Sequence, residues 1–248
     1  MALRSTNPAL SAKVFEQYAG TTGETMTLEG TINKSAFLLF LVVVAASWPW
    51  YTFFRVGGDA AVVIPYLIGG MLGGLVFAIA TIVKKTWAPL TAPLYAACEG
   101  LALGAVSALY ESQLSGIVFQ AIGLTFGTLA IMLVAYRTGI IKVTDRFRMG
   151  VVAATGSIAL LYLVSIGLSF FGIQIPFIHQ SGTFGILFSL FVVAIAALNL
   201  VLDFDNIATG VQQGAPKVLE WYGAFGLMVT LIWLYLEILR LLSKLRRR

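Results

Sequence analysis

Four carboxylates stand where a carboxylate is costly. Glu99, Asp203, Asp205 and Glu237 lie within or at the ends of long apolar runs, whereas the other acids of this 248-residue chain fall in polar stretches. Charge in hydrocarbon costs roughly 2.5–3.5 kcal/mol on the insertion scale, so such a group faces a protein or water interior and holds a proton, a hydrogen bond or a counter-charge. Glu99 sits near the middle of its apolar run. Asp203 and Asp205 close another, in Leu200-Val201-Leu202-Asp203-Phe204-Asp205-Asn206-Ile207. Two apart on a helix, they point about 200° away from each other, one towards the bundle and one towards water or headgroups. A helix C-terminus disfavours negative charge, which singles this pair out. Glu237 lies in Trp233-Leu234-Tyr235-Leu236-Glu237-Ile238-Leu239-Arg240, where Arg240 at i+3 offers a local ion pair. Turned inward instead, Glu237 meets an acid on another helix. Two carboxylates together in a low dielectric cannot both ionise easily, so they hold one proton and part when it is lost. That is a proton-controlled latch.

Few other chemistries have their parts here. The single cysteine, Cys98, has no partner for a disulfide and no companions for a thiolate metal site. The single histidine, His179, lies in a loop between Pro176 and Gly182 and reads as a solvated side chain. Haem, soft-metal and histidine-based catalytic schemes therefore lack ligands, and no cofactor or metal set is assigned. The net charge of +5 does not point to nucleic acid, because the basic residues sit in short segments between apolar runs.

The elements that must position the acids are transmembrane helices. The chain is 59% hydrophobic and 11% charged, with a mean hydropathy of +0.91. A soluble domain carries about 25% charged residues to cover its surface. After a polar arm over residues 1–34, helix-compatible from Ala9 to Tyr18, apolar segments follow at 35–54, 62–83, 90–110, 115–136, 149–171, 183–208 and 218–243. Each can cross a hydrocarbon core of about 30 Å at 1.5 Å per residue. The fold class is an all-α polytopic membrane protein, with one seven-helix transmembrane domain over 35–245. The arm lacks the basic-then-apolar pattern of a secretory signal, so targeting falls to the first retained helix.

Charge and aromatic placement give an orientation. One face receives Arg4, Lys13, Lys34, Lys84, Lys85, Arg137, Lys142, Arg146, Arg148 and Lys217, and the opposite loops receive Arg55. This positive-inside bias puts the N-terminus in the cytoplasm. The tail, with Arg240, Lys244, Arg246, Arg247 and Arg248, then ends outside against that bias, unless one late segment is re-entrant; seven spans are the favoured reading. Trp48, Trp50, Tyr51, Trp87, Trp221 and Tyr222 fall at segment ends, as interfacial anchors do. Gly69, Gly70, Gly73 and Gly74 in the second segment, and Gly100 and Gly104 in the third, read as close helix packing.

At Asp203-Phe204-Asp205-Asn206-Ile207, followed by Leu234-Tyr235-Leu236-Glu237-Ile238-Leu239-Arg240-Leu241-Leu242, the sequence resembles the last two helices of the Bax inhibitor family (transmembrane BAX inhibitor motif proteins), most closely its bacterial, YccA-like branch. The resemblance extends over about residues 35–245. It implies seven helices with the last one central, and a pH-sensitive calcium leak gated by a proton shared between acids on the sixth and seventh helices. It carries those acids onto Asp203 and Glu237; the second is usually Asp. It brings a basic residue from the turn after the second helix, Lys84 or Lys85, to bias the gate. Asp205 and Glu99 are further cation or water contacts. The implied setting is a bacterial inner membrane, with calcium or protons as the ion.

Two other functions compete with the leak. Some bacterial relatives modulate a membrane-anchored ATP-dependent protease, a partner that the polar arm could engage. Two inward acids could also form an aspartyl dyad. No companion motif or substrate site accompanies them, so the chain is not read as an enzyme.

Overall fold

The computed structural model describes residues 23–169, 171 and 182–247. The arm before Gly23, His179 and Arg248 lie outside the described residues. Seven long helices are present among them: α1 (Leu28–Arg55), α2 (Ile64–Val83), α3 (Ala88–Gln113), α4 (Ile117–Arg137), α5 (Asp145–Ser169), α6 (Thr183–Gln212) and α7 (Leu219–Arg246). All are long and apolar enough to cross a membrane. Short 3₁₀ turns, Ala60–Val62 and Lys85–Trp87, precede α2 and α3. The protein is an all-α polytopic membrane protein. Residues along α3, α6 and α7 are the most buried, while α1, α2, α4 and α5 leave most of their surface to the solvent around them.

The helices match the expected segments closely, with one informative difference. α1 begins inside the supposed polar arm, at Leu28 rather than residue 35. Thr27 caps it by accepting the Gly30 amide at 3.0 Å, and Glu29 lies in the positive first turn. Thr31 and the preceding Met26 are buried. Polar side chains in this turn hide a helix start that hydropathy alone does not see.

The chain folds as two compact units, with α6 and α7 each contributing to both. The first comprises Phe119–Asp205 and Thr230–Arg248. Here α5 packs along α6: Ile158 meets Val192 and Ile195 beside Tyr162, Phe188 and Trp233, and Val151 and Val152 meet Leu202 beside Phe147 and Leu198. The Asn199 amide donates to Thr155 at 2.8 Å, so a polar group on the seam is satisfied rather than left in hydrocarbon.

The second unit comprises Pro8–Val118 and Asn206–Val229, as far as described. Its seams are made by small residues. A Cβ added at Gly100 of α3 would lie 2.6 Å from the Val42 carbonyl of α1, and one at Gly70 of α2 would lie 2.5 Å from the Cys98 carbonyl of α3. Backbone approaches this close are possible only where there is no side chain. Trp48, Tyr51 and Trp87 are exposed, as anchors should be, but Tyr222 is fully buried against Phe225. It is a core residue, because α7 presents that face to α3, where Tyr95 meets Phe225 edge-on at 4.9 Å.

A clamp closes this unit. The Met26 amide donates to the Ala215 carbonyl at 2.6 Å, and the Lys217 amide to Glu24 at 2.9 Å, so residues 24–26 are stitched to the turn before α7. Gly214, at φ 65°, supplies the left-handed step of that turn. Glu220 is buried, accepts from the Thr27 amide and hydroxyl at 2.9 Å each, and pairs with Lys34. At the rim, Lys217 and Glu24 pair at 2.5 Å, and the carboxylate's hydrogen bond holds the exposed ammonium above the usual lysine range.

Candidate functional site

Three of the four acids fall in the first unit, on α6 and α7. The last two helices run long and apolar up to them, and one acid ends with a different kind of partner from the other two.

Asp203 is 1% exposed. It is hydrogen-bonded to the Thr230 side chain of α7, and its Oδ2 has no partner among the described residues. No cation acts on it there. Asp205, two residues on, points away as helical spacing requires and meets Arg148 of α5 at 2.5 Å. The Tyr136 hydroxyl of α4 donates to its other oxygen at 3.4 Å. This second acid is part-exposed and charge-balanced.

Glu237 is 2% exposed on α7. Nη1 of Arg240 donates to both of its oxygens, at 2.8 and 3.0 Å, and the Tyr162 hydroxyl of α5 donates at 3.0 Å. The same Arg240 nitrogen reaches the Tyr162 oxygen at 2.7 Å, and its guanidinium lies 5.2 Å from that ring's centroid. One turn further, Lys244 is buried and donates to the Gly185 carbonyl at 3.0 Å and to Ser189 at 2.9 Å.

The expected Asp203–Glu237 pair is therefore not formed. Asp203 meets α7 at Thr230, seven residues before Glu237, which is two turns or about 10 Å along the axis. Both acids are buried, but at different depths, and the i+3 arginine takes Glu237. Lys84 and Lys85, expected to bias the gate, lie in the second unit over aromatic rings. The Lys84 ammonium sits 4.1 Å from the Trp87 centroid and that of Lys85 5.6 Å from the Tyr222 centroid. Glu99 is also in the second unit, on α3 against Gly74 of α2.

The groups that sequence reasoning missed are Thr230, Tyr162, Tyr136 and Arg148. Arg148 counted only as a topology charge. Its signal was position: it lies in the first turn of α5, on the same membrane face as the Asp205 end of α6. The hydroxyls gave no signal, because a lone Tyr or Thr in an apolar helix is common.

The family model described as Bax inhibitor 1 like matches residues 7–247, which takes in all seven helices. The chain belongs to the Bax inhibitor family. No curated protein and no solved structure matches it. In this Bax inhibitor family chain the two halves of the site differ in chemistry. Asp205 and Glu237 are carboxylates already met by guanidinium. Asp203 has only a neutral hydroxyl.

Proposed function

We propose that the protein is a pH-sensitive leak for cations, calcium foremost, across a bacterial inner membrane, with its N-terminus in the cytoplasm. The acids of α6 and α7 are its gate, and Asp203 is the group that titrates. What carries this reading is a buried carboxyl on the α6–α7 contact with one oxygen unpartnered and no counter-cation. With its proton, Asp203 is a neutral partner for Thr230 and the contact stays dry. Without it, a bare charge stands in a low-dielectric site, at a cost of several kcal/mol. Water or a cation entering between the helices relieves that cost. The closed form is thus the protonated one. Glu237, held by Arg240 and Tyr162, is the fixed member of the gate and sets the field deeper along α7. Asp205, once Arg148 releases it, offers an oxygen ligand to a hard cation. The basic residues gathered on the N-terminal face support the orientation.

The test is calcium flux into liposomes at several pH values. Wild-type flux should rise with pH, Asp203→Asn should flatten the profile in the closed form, and Glu237→Gln should leave its midpoint in place. If Asp203→Asn kept the wild-type pH profile, the gate would be elsewhere.

A further inference from the structure

Glu99 is an intramembrane acid that the gate does not use. It lies about 16 Å along α3 from Ala88 and about 21 Å from Gln113, the middle of the span at 1.5 Å per residue. Its neighbour on α2, Gly74, is likewise at the centre of Ile64–Val83. A Cβ added there would lie 2.5 Å from Glu99 Oε1 and 3.0 Å from Cδ, so the carboxyl rests on bare backbone. Glu99 makes no hydrogen bond or ion pair among the described residues, and no metal-holding group of acids, His or Cys is found among them.

The elements packed around α3 bring no counter-charge to this depth. α2 has no charged residue, and Tyr66 is its one titratable group. On α1, Glu29, Lys34, Tyr51 and Arg55 lie towards the ends, and Lys84 and Lys85 precede α3, with Lys85 about 21 Å below Glu99. Glu220 and Tyr222 stand in the first turn of α7. On α3 itself Tyr110 and Glu111 are at the far end. Among the described residues, Tyr95, one turn back, and Cys98, next in the chain, feel the Glu99 charge. The groove is open on its outer side. Gly73, Cys98 and Glu99 are half-buried, and Met71, Leu75 and Leu94 beside them are exposed. On a spanning helix, such an apolar face meets acyl chains.

We propose that Glu99 is a second proton-binding site, half-way through the membrane, whose carboxyl exchanges its proton through the groove between α2 and α3 and is open to lipid-borne reagents. Its ligand is a proton, and Gly74 is the niche that lets the carboxyl lie flat rather than swing towards a headgroup. A carboxyl so placed is a target for an apolar carbodiimide. The acid's proton passes to one carbodiimide nitrogen, its oxygen bonds to the central carbon, and the O-acylisourea rearranges to a stable N-acylurea. The whole reagent is added, with no leaving group and no oxidation. The site stands apart from the leak, because labelling is read without any ion gradient.

The experiment treats the full-length protein in liposomes with N,N′-dicyclohexylcarbodiimide at mildly acid and mildly alkaline pH, beside a water-soluble, charged carbodiimide. Adducts are mapped by peptide mass spectrometry. Expected is an adduct at Glu99 with the apolar reagent, several-fold more at acid pH, and little with the charged one. It should persist in Asp203→Asn and disappear in Glu99→Gln. No adduct at Glu99 in the wild-type chain, equal labelling by the charged reagent, or labelling indifferent to pH would each overturn the proposal. These readings come from the unmodified sequence, so they stand even if a variant folds poorly.

Discussion

Glu237 has its charge met within one turn of its own helix, and that local solution decides how the acid behaves. A carboxylate that is 2% exposed and bound by both Arg240 and Tyr162 is costly to strip of its cation. Breaking a buried pair by removing one partner costs roughly 3–5 kcal/mol, whereas replacing both partners with apolar groups is often neutral. Arg240→Met should therefore lower the thermal midpoint in detergent markedly, while Arg240→Met with Glu237→Met should recover most of the loss. A double variant as unstable as the single one would mean that the arginine stabilises through packing, not charge. The same comparison marks Asp203 as different: it has no cation to lose, so Asp203→Asn should fold well and change function, not stability.

The helices themselves were legible in the sequence because apolar runs of spanning length admit few other readings, and most of the singled-out glycines, though not Gly69, mark where helices meet. Their predictive content can be separated site by site. Gly100 faces the Val42 carbonyl, whereas Gly69, five residues before Gly74 on α2, has nothing within 4 Å of an added Cβ. Gly100→Ala should push α1 and α3 apart and cost a few kcal/mol, as overpacking does. Gly69→Ala should be neutral or stabilising by about 0.4–1 kcal/mol through the unfolded chain. Equal midpoints for the two variants would remove the seam from the account. What the sequence could not supply was rotation and axial offset. Asp203 and Glu237 are both buried, yet Thr230 rather than Glu237 lies opposite Asp203, and a two-turn offset is invisible to any pattern of residue types. The start of α1 was hidden for a related reason: Thr27 and Lys34 are polar because Glu220, far away in sequence, takes their donors, while Thr27 and Glu29 suit the cap and first turn of a helix.

For the chain as a whole, the basic tail poses the hardest question of orientation. Seven spans from a cytoplasmic N-terminus put the C-terminus outside, although Arg240, Lys244, Arg246 and Arg247 should prefer the inside. The partners of these residues ease the conflict. Arg240 is neutralised by Glu237, and Lys244 is buried with its ammonium on Gly185 and Ser189. Cations engaged in the fold are not free charges at the membrane surface, so the early helices, with Lys84 and Lys85 between α2 and α3, can set the topology. Thiol accessibility decides it. In a Cys98→Ser background, Leu245→Cys, at a position 49% exposed, should react with a membrane-impermeant maleimide in intact cells. Thr86→Cys, in the exposed turn beside Lys85, should react only after the membrane is opened. If both thiols stayed protected until permeabilisation, the termini would share one side, one of the seven apolar helices would not cross, and the axial order of Asp203, Thr230 and Glu237 across the membrane would have to be redrawn.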